Sequence, residues 1–540
     1  MPAPWERRPR RDLFVTQRLN RGEDAAPTAI YPWQSVPIRG YIISQRRRAM
    51  KTYKNYVNNE WVTAAATREI INPATGEAIA TVPEASKEDV DRAIAAARTT
   101  FDSTDWRDSS KAQMRGRILF KMADLVRKNM AKLAELETRN TGKPIVESEF
   151  DMNDTATCFE YNGGLATKYH GETLNVPDNA LNFTLKEPVG VCGLIIPWNY
   201  PLMLAAWKLG PAIAAGCTVV LKPAEQTPLT MLEFCKLVQK HIPELPAGVL
   251  NVVTGDGPIA GRALVESPHV EKIAFTGGTD TGKAILRSIG SSHLKKVSLE
   301  LGGKSPNIYF ADADLDAATD GALFGVFINQ GEVCSAGSRV LVQKDIWKKF
   351  MDRMKEKTKR IKLGDPLKRD TKMGPLVSEE HQQKVLSYIE LGKQEAKLIC
   401  GGSSRPGGIA TALRKGFYVE PTIFETDNTT RIAREEIFGP VVACIPFKDE
   451  ADAIRIANDT PYGLAAAVWS RDIFKCLRVV KNLRAGIVWV NSIQPCYVES
   501  PWGGYKQSGQ GREMSLHGIE EFLETKQVHI NLNEAPLGWY

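Results

Sequence analysis

One thiol in this sequence has surroundings that suit a nucleophile. Cys334 lies in the stretch 329–339, which is rich in Gly, Ser and Ala. An apolar run at 322–328 precedes it, and the run at 340–342 predicts a strand after it. Loops held between rigid elements often carry catalytic groups. A free cysteine is nevertheless most often a buried, inert core residue, so the nucleophilic interpretation depends on which other residues accompany Cys334.

Four further segments put polar groups or glycines where predicted strands end. They supply an amide, an ammonium with a carboxylate, a Gly-rich turn and one acid between two Leu: Asn199, Lys222 with Glu225, Gly277 with Gly278, and Glu300. In parallel α/β sheets, ligands bind at the carboxyl ends of the strands. We therefore expect these groups to take part in binding a ligand.

The strands that would position these groups alternate with helix-length segments. The apolar runs fall into two regions: 189–196, 217–222, 249–253 and 271–276, then 306–310, 338–343, 440–446, 464–469 and 485–490. Apolar strands that alternate with helices predict parallel sheets covered on both faces. We therefore predict an α/β fold.

The remaining patterns are more local. Short strands are predicted at 56–57, 61–62 and 70–71, and a late strand at 521–530. Ser86 with Asp89 resembles a capping box, followed by a helix whose apolar face holds Val90, Ile94, Ala97 and Phe101. One longer helical pattern then runs through Met114, Ile118, Met122, Leu125 and Leu133.

The composition is that of a globular protein of several domains. The chain has 540 residues, 43% of them hydrophobic and 25% charged. Nearly all of the net charge of +7 comes from residues 1–49, so the rest gives no reason to expect a nucleic-acid or membrane partner. The 9 Cys include no CxxC pair, which argues against a metal site or disulfide framework and favours a reducing compartment.

Two segments have features of targeting or membrane-spanning sequences. Residues 1–49 are Arg-rich without sustained periodicity, and we predict a disordered or non-native extension, with organelle targeting as the alternative to a cytoplasmic location. The uncharged run 189–207 approaches the length of a membrane span, but Pro197, Asn199 and Pro201 interrupt it. We interpret that run as a strand, a turn and a helix.

Taken together, these motifs resemble the NAD(P)-dependent aldehyde dehydrogenase superfamily over roughly residues 53–532, including the Cys334 loop and the segment 435–440. The resemblance implies a Rossmann-like NAD domain (50–166 and 187–302) and a second α/β catalytic domain (303–500). It also implies a small β oligomerisation element (167–186 and 518–534) and a homo-oligomer, either a dimer or a dimer of dimers that makes a homotetramer.

The resemblance also implies a mechanism in which an aldehyde becomes a carboxylic acid. The Cys334 thiolate adds to the aldehyde as a thiohemiacetal, and Asn199 with the Cys334 N–H stabilises the oxyanion. After hydride loss, Glu300 activates water to hydrolyse the thioester. Lys208 and Glu513 resemble a proton relay found in part of the family.

The family's cofactor-binding positions are carried by a larger set of residues. By resemblance these are Ile196, Pro197, Trp198, Lys222, Glu225, Phe275, Thr276, Gly277, Gly278, Glu436 and Phe438. A carboxylate at Glu225 accepts bonds from both ribose hydroxyls and repels a 2′-phosphate, so we expect NAD rather than NADP. No metal is expected.

The substrate prediction follows from aromatic residues. Tyr200, Trp207, Tyr497 and Trp502 resemble the tunnel of the betaine-aldehyde and aminoaldehyde dehydrogenase branch, whose aromatic faces attract an ammonium group. The alternative is an ordinary apolar tunnel for neutral aliphatic or aromatic aldehydes. Ile328 stands where some members carry another aromatic residue. Glu332, where many relatives have Gln, would raise the pKa of the Cys334 thiol if it faced it.

Two other functions remain open from the residues alone. A CoA-acylating semialdehyde dehydrogenase shares this fold, but such enzymes typically lack the glutamate base that Glu300 resembles. A non-catalytic structural protein of the same fold is the other alternative, and the joint presence of Cys334, Glu300, Asn199 and Glu436 argues against it.

Overall fold

The computed structural model describes residues 50–404 and 406–540, so the predicted extension over 1–49 lies outside the described residues. In chain order the strands are β1 (Lys51–Thr52), β2 (Asn55–Val57), β3 (Glu60–Val62), β4 (Ala66–Asn72), β5 (Glu77–Glu84), β6 (Thr173–Leu174), β7 (Ala180–Pro188), β8 (Val191–Ile195), β9 (Thr218–Lys222), β10 (Leu250–Val252), β11 (Lys272–Thr276), β12 (Lys296–Glu300), β13 (Pro306–Tyr309), β14 (Arg339–Gln343), β15 (Lys397–Cys400), β16 (Thr422–Glu425), β17 (Val441–Phe447), β18 (Ala465–Trp469), β19 (Ile487–Val490), β20 (Gly509–Gln510) and β21 (Leu523–Asn531).

The helices are α1 (Lys87–Ser103), α2 (Ala112–Lys128), α3 (Met130–Thr141), α4 (Ile145–Leu165), α5 (Pro201–Ala215), α6 (Leu229–His241), α7 (Arg262–Glu266), α8 (Thr279–Ser291), α9 (Leu315–Phe327), α10 (Trp347–Thr358), α11 (Glu379–Glu395), α12 (Arg431–Arg434), α13 (Glu450–Asn458), α14 (Ile473–Asn482) and α15 (Ser515–Glu520).

The first large sheet has eight strands in the order β20-β12-β11-β8-β9-β10-β2-β3. The strands from β12 to β10 are parallel, while β20, β2 and β3 add antiparallel edges. Strands β8, β9, β10 and β11 match the four predicted for this region within a few residues at each end. Strand β20 comes from late in the chain.

The second large sheet has seven strands in the order β15-β16-β17-β14-β13-β18-β19. All neighbours from β16 to β19 are parallel, and only β15 is antiparallel. Their apolar side chains are buried against helices on both faces, as expected for parallel strands. The predicted α/β fold with two parallel sheets is confirmed.

Helix α5 is the central packing element of the first sheet. It begins with Pro201 in its first turn, where proline is tolerated, and ends at Gly216, whose φ of 99° is left-handed. It is apolar on almost every side, and all of its residues are buried. The uncharged run 189–207 is thus a strand, a turn and a helix, as predicted. Across the described residues, no helix combines the length and apolar character that a membrane span requires.

Two local predictions have different outcomes. The capping box is confirmed, because the Ser86 hydroxyl accepts the Asp89 N–H at 3.3 Å while the Asp89 carboxylate accepts the Ser86 N–H at 2.9 Å. The prediction of one longer helix through Leu133 is wrong, because the chain divides into α2 and α3 at Asn129. Its side-chain amide donates to the Leu125 carbonyl at 2.8 Å and so ends α2.

A small antiparallel sheet of order β21-β7-β6 stands apart from the two large ones. Strand β21 pairs with β7 along nine residues, so the predicted late strand is confirmed and its partner lies in the same chain. Four apolar residues of this sheet are well exposed: Leu174, Leu181, Leu185 and Ile530.

Candidate active site

A cavity of about 540 Å³ lies at the carboxyl ends of the first sheet's strands. Many of the predicted residues line it together: Pro197, Trp198, Asn199, Tyr200, Trp207, Thr276, Gly277, Gly278, Glu300, Cys334, Glu436, Phe438, Trp502 and Glu513. Strand register explains the convergence. Thr276 pairs with Glu300, and Phe275 pairs with Ile195, whose other neighbour is Lys222, so the strands end in line.

Cys334 enters the cavity from the side of the second large sheet. It follows α9 and a short turn (Ile328–Gly331), and β14 begins five residues later. Its backbone carbonyl packs so closely against Gly303 that a side chain there would clash. Burial, reinforced by the charges of Glu436 and Glu300, raises the pKa of the Cys334 thiol to about 12.

The Asn199 side chain is tied to the loop of Cys334. Its Nδ2 donates to the Glu332 carbonyl at 2.7 Å, and the backbone carbonyl of Asn199 accepts from Asn329 Nδ2 at 3.1 Å. A primary amide has two N–H donors, so one is left for a ligand oxygen beside Cys334. The arrangement can therefore supply an oxyanion donor.

Glu300 is a buried acid at the end of β12. Burial, together with the charge of Glu513, raises its pKa well above the usual range, although Lys208 and Arg512 oppose the shift. Its Oε1 is buried and has no hydrogen-bond donor among the described residues. That oxygen lies 2.7 Å from where a side chain on Gly503 would begin, so only glycine fits there. A carboxyl of this kind can exchange a proton with water in the cavity.

Lys208 and Glu513 form a buried pair behind Glu300. Helix α5 carries Lys208 into an apolar environment, where its ammonium donates to Glu513 and, at 2.5 Å, to Thr276 Oγ1. The second oxygen of Glu513 is buried without a hydrogen-bond partner in the described part of the chain. Thr276, Lys208 and Glu513 thus link the end of β11 to the isolated β-bridge between Glu513 and Trp502.

Glu436 and Phe438 bound another part of the cavity. Glu436 accepts the Gly303 N–H at 2.9 Å, and burial raises its pKa to about 7. Phe438 has a left-handed φ of 62°, and its ring meets Trp198 edge-on at 5.2 Å. His381 lines the same wall, where its Nε2–H donates to the Phe438 backbone carbonyl at 2.6 Å, and sequence reasoning missed it because it lies in α11, far from any motif.

The remaining predicted cofactor residues lie around the strand ends rather than on this cavity. Lys222 Nζ donates to the carbonyls of Pro223 and Gly255 and lies 3.7 Å from the partly exposed carboxylate of Glu225. Ile196 and Phe275 are buried behind them.

The N-terminus of α8 fits a dinucleotide phosphate. Gly278 is its cap and provides no side-chain hydrogen bond, so the first N–H groups of the helix are uncapped. Thr279 Oγ1 is buried and has no partner among the described residues. Uncapped N–H groups and an unpaired hydroxyl at a helix N-terminus suit an anionic ligand.

The aromatic side of the cavity contains three of the four predicted residues. Trp207 and Trp502 meet edge-on with ring centres 5.5 Å apart, and the ammonium of Lys143 lies 3.8 Å from the ring centre of Tyr200. Tyr497 differs, because it is 64% exposed and does not line the cavity.

Sequence reasoning missed two carboxylates on this side. Asp151 and Asp154 of α4 both line the cavity, and their spacing of three residues, which puts them on one helix face, was the available signal. Asp151 pairs with the fully buried Lys143. Partial burial and the charge of Asp151 raise the pKa of Asp154 to about 6. Phe150 and Phe324, both about half exposed, lie at the same cavity.

Ile328 and Glu332, which precede Cys334 in the sequence, face different parts of the structure. Ile328 lines the cavity, whereas the Glu332 carboxyl is buried against another segment, where it accepts the Val377 N–H at 3.0 Å. Within the described residues, no group of three or more His, Cys, Asp or Glu side chains is arranged to hold a metal ion.

Comparison with known proteins agrees with the resemblance that the sequence motifs indicated. A sequence profile described as "Aldehyde dehydrogenase family" matches residues 61–528. A betaine aldehyde dehydrogenase of Bacillus subtilis (strain 168) is 47% identical over 490 residues, covering 90% of this chain and 99% of that protein. Aminoaldehyde dehydrogenase 2, peroxisomal, of Pisum sativum is 45% identical over 500 residues, covering 91% and 98%. A crystal structure of betaine aldehyde dehydrogenase from Staphylococcus aureus in complex with NAD+ has a TM-score of 0.87 at 44% identity, covering 90% and 96%.

Proposed function

Because this chain belongs to the aldehyde dehydrogenase family, we propose that the aldehyde it oxidises carries a cationic nitrogen, as betaine aldehyde and ω-aminoaldehydes do. The family, predicted from the motifs, is confirmed, and with it the NAD-dependent oxidation of an aldehyde. The observation that carries the substrate proposal is the pair Asp151 and Asp154 on the same cavity as Cys334.

A cation is favoured there for two reasons. Asp151 is already paired with Lys143, but Asp154 has a pKa of about 6 and is therefore mostly ionised near neutral pH. The rings of Trp207 and Trp502 add faces that attract an ammonium group, by about 2 kcal/mol or more once it is desolvated. A neutral aldehyde gains neither interaction.

The proposed chemistry starts at Cys334. The Cys334 thiol first loses its proton to water in the cavity, and its sulfur then bonds to the aldehyde carbon. The carbonyl oxygen becomes an oxyanion, stabilised by the free N–H of Asn199 and the Cys334 N–H. When bound, NAD accepts the hydride of the thiohemiacetal.

Hydrolysis of the resulting thioester is the proposed task of Glu300. It removes a proton from water, the water oxygen bonds to the carbonyl carbon, and the C–S bond breaks to leave the Cys334 thiolate. Lys208 and Glu513 would pass this proton onward. They form a buried pair behind Glu300, and the Lys208 ammonium donates to both Glu513 and Thr276. On the cofactor side, Lys222 with Glu225 would hold the adenosine ribose, the N-terminus of α8 the pyrophosphate, and Glu436 with Phe438 the nicotinamide riboside.

The mechanism is tested by Cys334→Ala. We expect loss of NADH production with NAD affinity unchanged, measured by turnover and by fluorescence titration. Full turnover in this variant would refute the nucleophile. Steady turnover without CoA is expected as well, and a requirement for CoA would favour the acylating alternative.

The substrate is tested with betaine aldehyde, 4-aminobutyraldehyde, benzaldehyde and hexanal. Asp154→Asn should lower kcat/KM for the two cationic aldehydes by about tenfold and leave hexanal within about twofold. Glu160→Gln is the matched control, because Glu160 lies on the same helix but pairs with Arg127 outside the cavity. A wild-type preference for benzaldehyde or hexanal would instead support the neutral-aldehyde alternative, which the exposed rings of Phe150 and Phe324 favour.

Assembly and location are part of the same proposal. The exposed apolar residues of the sheet β21-β7-β6 support its use as a contact between subunits, in a homodimer or a homotetramer, which light scattering would test. The proposed division into a NAD domain, a catalytic domain and this oligomerisation element follows three of the four sheets, namely the eight-stranded sheet, the seven-stranded sheet and the sheet β21-β7-β6. All 9 cysteines are free, which fits a cytoplasmic location.

A further inference from the structure

The first three residues of the Cys334 loop have left-handed backbones. Asn329, Gln330 and Gly331 have φ values of 46°, 56° and 77°. Residues with side chains avoid this region, so surrounding contacts must hold Asn329 and Gln330 there. Gln330 is held by its Oε1, which accepts the Gly374 N–H at 3.2 Å.

Asn329 is held by a carboxylate from a different part of the chain. Oε2 of Glu147, in the first turn of α4, accepts the Asn329 N–H at 2.8 Å. Burial raises the pKa of Glu147 to about 8, opposed by the nearby Lys143 and Lys372 and supported by Asp151. Lys143 pairs with Asp151. Glu147 does not line the cavity, so it has no contact with a substrate there.

The side chain of Asn329 continues the connection to the active site. Its Nδ2 donates to the backbone carbonyl of Asn199 at 3.1 Å and to the backbone carbonyl of Glu332 at 3.4 Å. The Asn199 amide donates to that same Glu332 carbonyl at 2.7 Å. Asn329 and Asn199 are therefore fixed around one carbonyl, two residues before Cys334.

We propose that Glu147 is a positioning residue for the oxyanion-binding amide of Asn199, acting through the left-handed backbone and the side chain of Asn329. This inference rests on the role proposed above for Asn199. Without the Glu147 acceptor, Asn329 relaxes toward a right-handed conformation, and the Asn199 amide loses its fixed direction toward the reacting carbonyl oxygen.

Three variants test the role. Glu147→Ala removes the acceptor, Glu147→Gln retains an acceptor oxygen, and Glu149→Ala is the matched control, because Glu149 lies on the same helical turn but pairs with Arg369. The rate of the first NADH turnover, measured by stopped flow with saturating NAD, should fall about tenfold to a hundredfold in Glu147→Ala. It should stay within about threefold of wild type in the other two variants.

Alkylation of Cys334 by iodoacetamide separates positioning from a general loss of structure, because that reaction forms no oxyanion. We expect Glu147→Ala to be alkylated within about twofold of the wild-type rate. An equal loss of alkylation and turnover, or equal turnover loss in Glu147→Gln and Glu147→Ala, overturns the proposal.

A double-mutant cycle with Asn199→Ala completes the test. If Glu147 acts through Asn199, the double variant is no slower than Asn199→Ala alone. Multiplied losses would show that Glu147 acts by another route and overturn the proposal. Full activity in Asn199→Ala would instead refute the proposed oxyanion role, which is a distinguishable result.

Discussion

The Glu332 carboxyl accepts a hydrogen bond from the Val377 N–H at 3.0 Å and lies 3.8 Å from the His381 ring nitrogen. It is two residues from Cys334 in the sequence, yet the carboxylates that raise the pKa of the Cys334 thiol are Glu436 and Glu300. The difference between Glu and Gln at this position therefore concerns the packing of a neighbouring segment rather than thiol reactivity.

Glu332→Gln should consequently leave the chemistry of Cys334 unchanged and alter stability with pH. Burial holds the folded-state pKa of Glu332 well above its usual value, so the folded protein binds a proton that the unfolded chain releases above about pH 4.5. Wild-type stability must then fall relative to the Gln variant as pH rises, by up to about 1.4 kcal/mol per pH unit. Thermal melts of both proteins from pH 5 to 8 measure this, and parallel curves would contradict it.

Glu436→Gln should lower the pKa of the Cys334 thiol. The charge of Glu436 contributes to that raised pKa, and Glu436 itself ionises near pH 7. Iodoacetamide should therefore label Cys334 faster in the variant at pH 9, while the two proteins behave alike at pH 6. Glu435→Gln is a suitable control, since Glu435 pairs with Arg431 at the surface. Identical labelling rates in the variant and the wild type at pH 9 would show that Glu436 does not raise the pKa of the Cys334 thiol.

Glu300→Gln should separate acylation from hydrolysis. A Gln side chain cannot take a proton from water, and loss of a general base costs about a hundredfold to ten-thousandfold. We expect steady-state turnover to fall by that factor. Quenched samples analysed by mass spectrometry should show acylated Cys334. Unchanged steady-state turnover would mean that another group activates water.

Lys208→Met should destabilise the protein strongly, because Glu513 would then be a buried acid without its partner. Loss of one member of a buried ion pair costs about 3–5 kcal/mol. The double variant Lys208→Met with Glu513→Gln removes both charges and should recover most of the loss in urea denaturation. A double variant as unstable as the single one would show that packing of α5, rather than charge, accounts for the effect.

The positions of the strand-end groups could be predicted from the sequence, because they depend on a local pattern. Each apolar strand ends where Asn199, Lys222, Gly277 or Glu300 begins a polar or glycine-containing turn, and parallel register brings such ends together. Site residues carried by helices were harder to predict from the sequence. Asp151 and Asp154 lie on α4, whose residues are apolar and polar on several sides, so its sequence does not indicate which face meets the cavity.

Two other outcomes depended on contacts between distant segments. The direction of Glu332 is set by Val377, and the end of α2 by one side chain of Asn129, neither of which a periodic pattern encodes. Tyr497 was predicted at the substrate by resemblance alone, and its exposed position leaves that role a prediction.

Strand β20 also has a consequence for biosynthesis. It completes the first sheet by pairing Gly509 with Glu300, so the β12 edge stays open while the intervening chain is translated. At roughly 5–20 residues per second, this interval lasts on the order of 10–40 s. During that time a nascent chain presents an unpaired strand edge at Glu300, and such an edge is open to pairing with other chains.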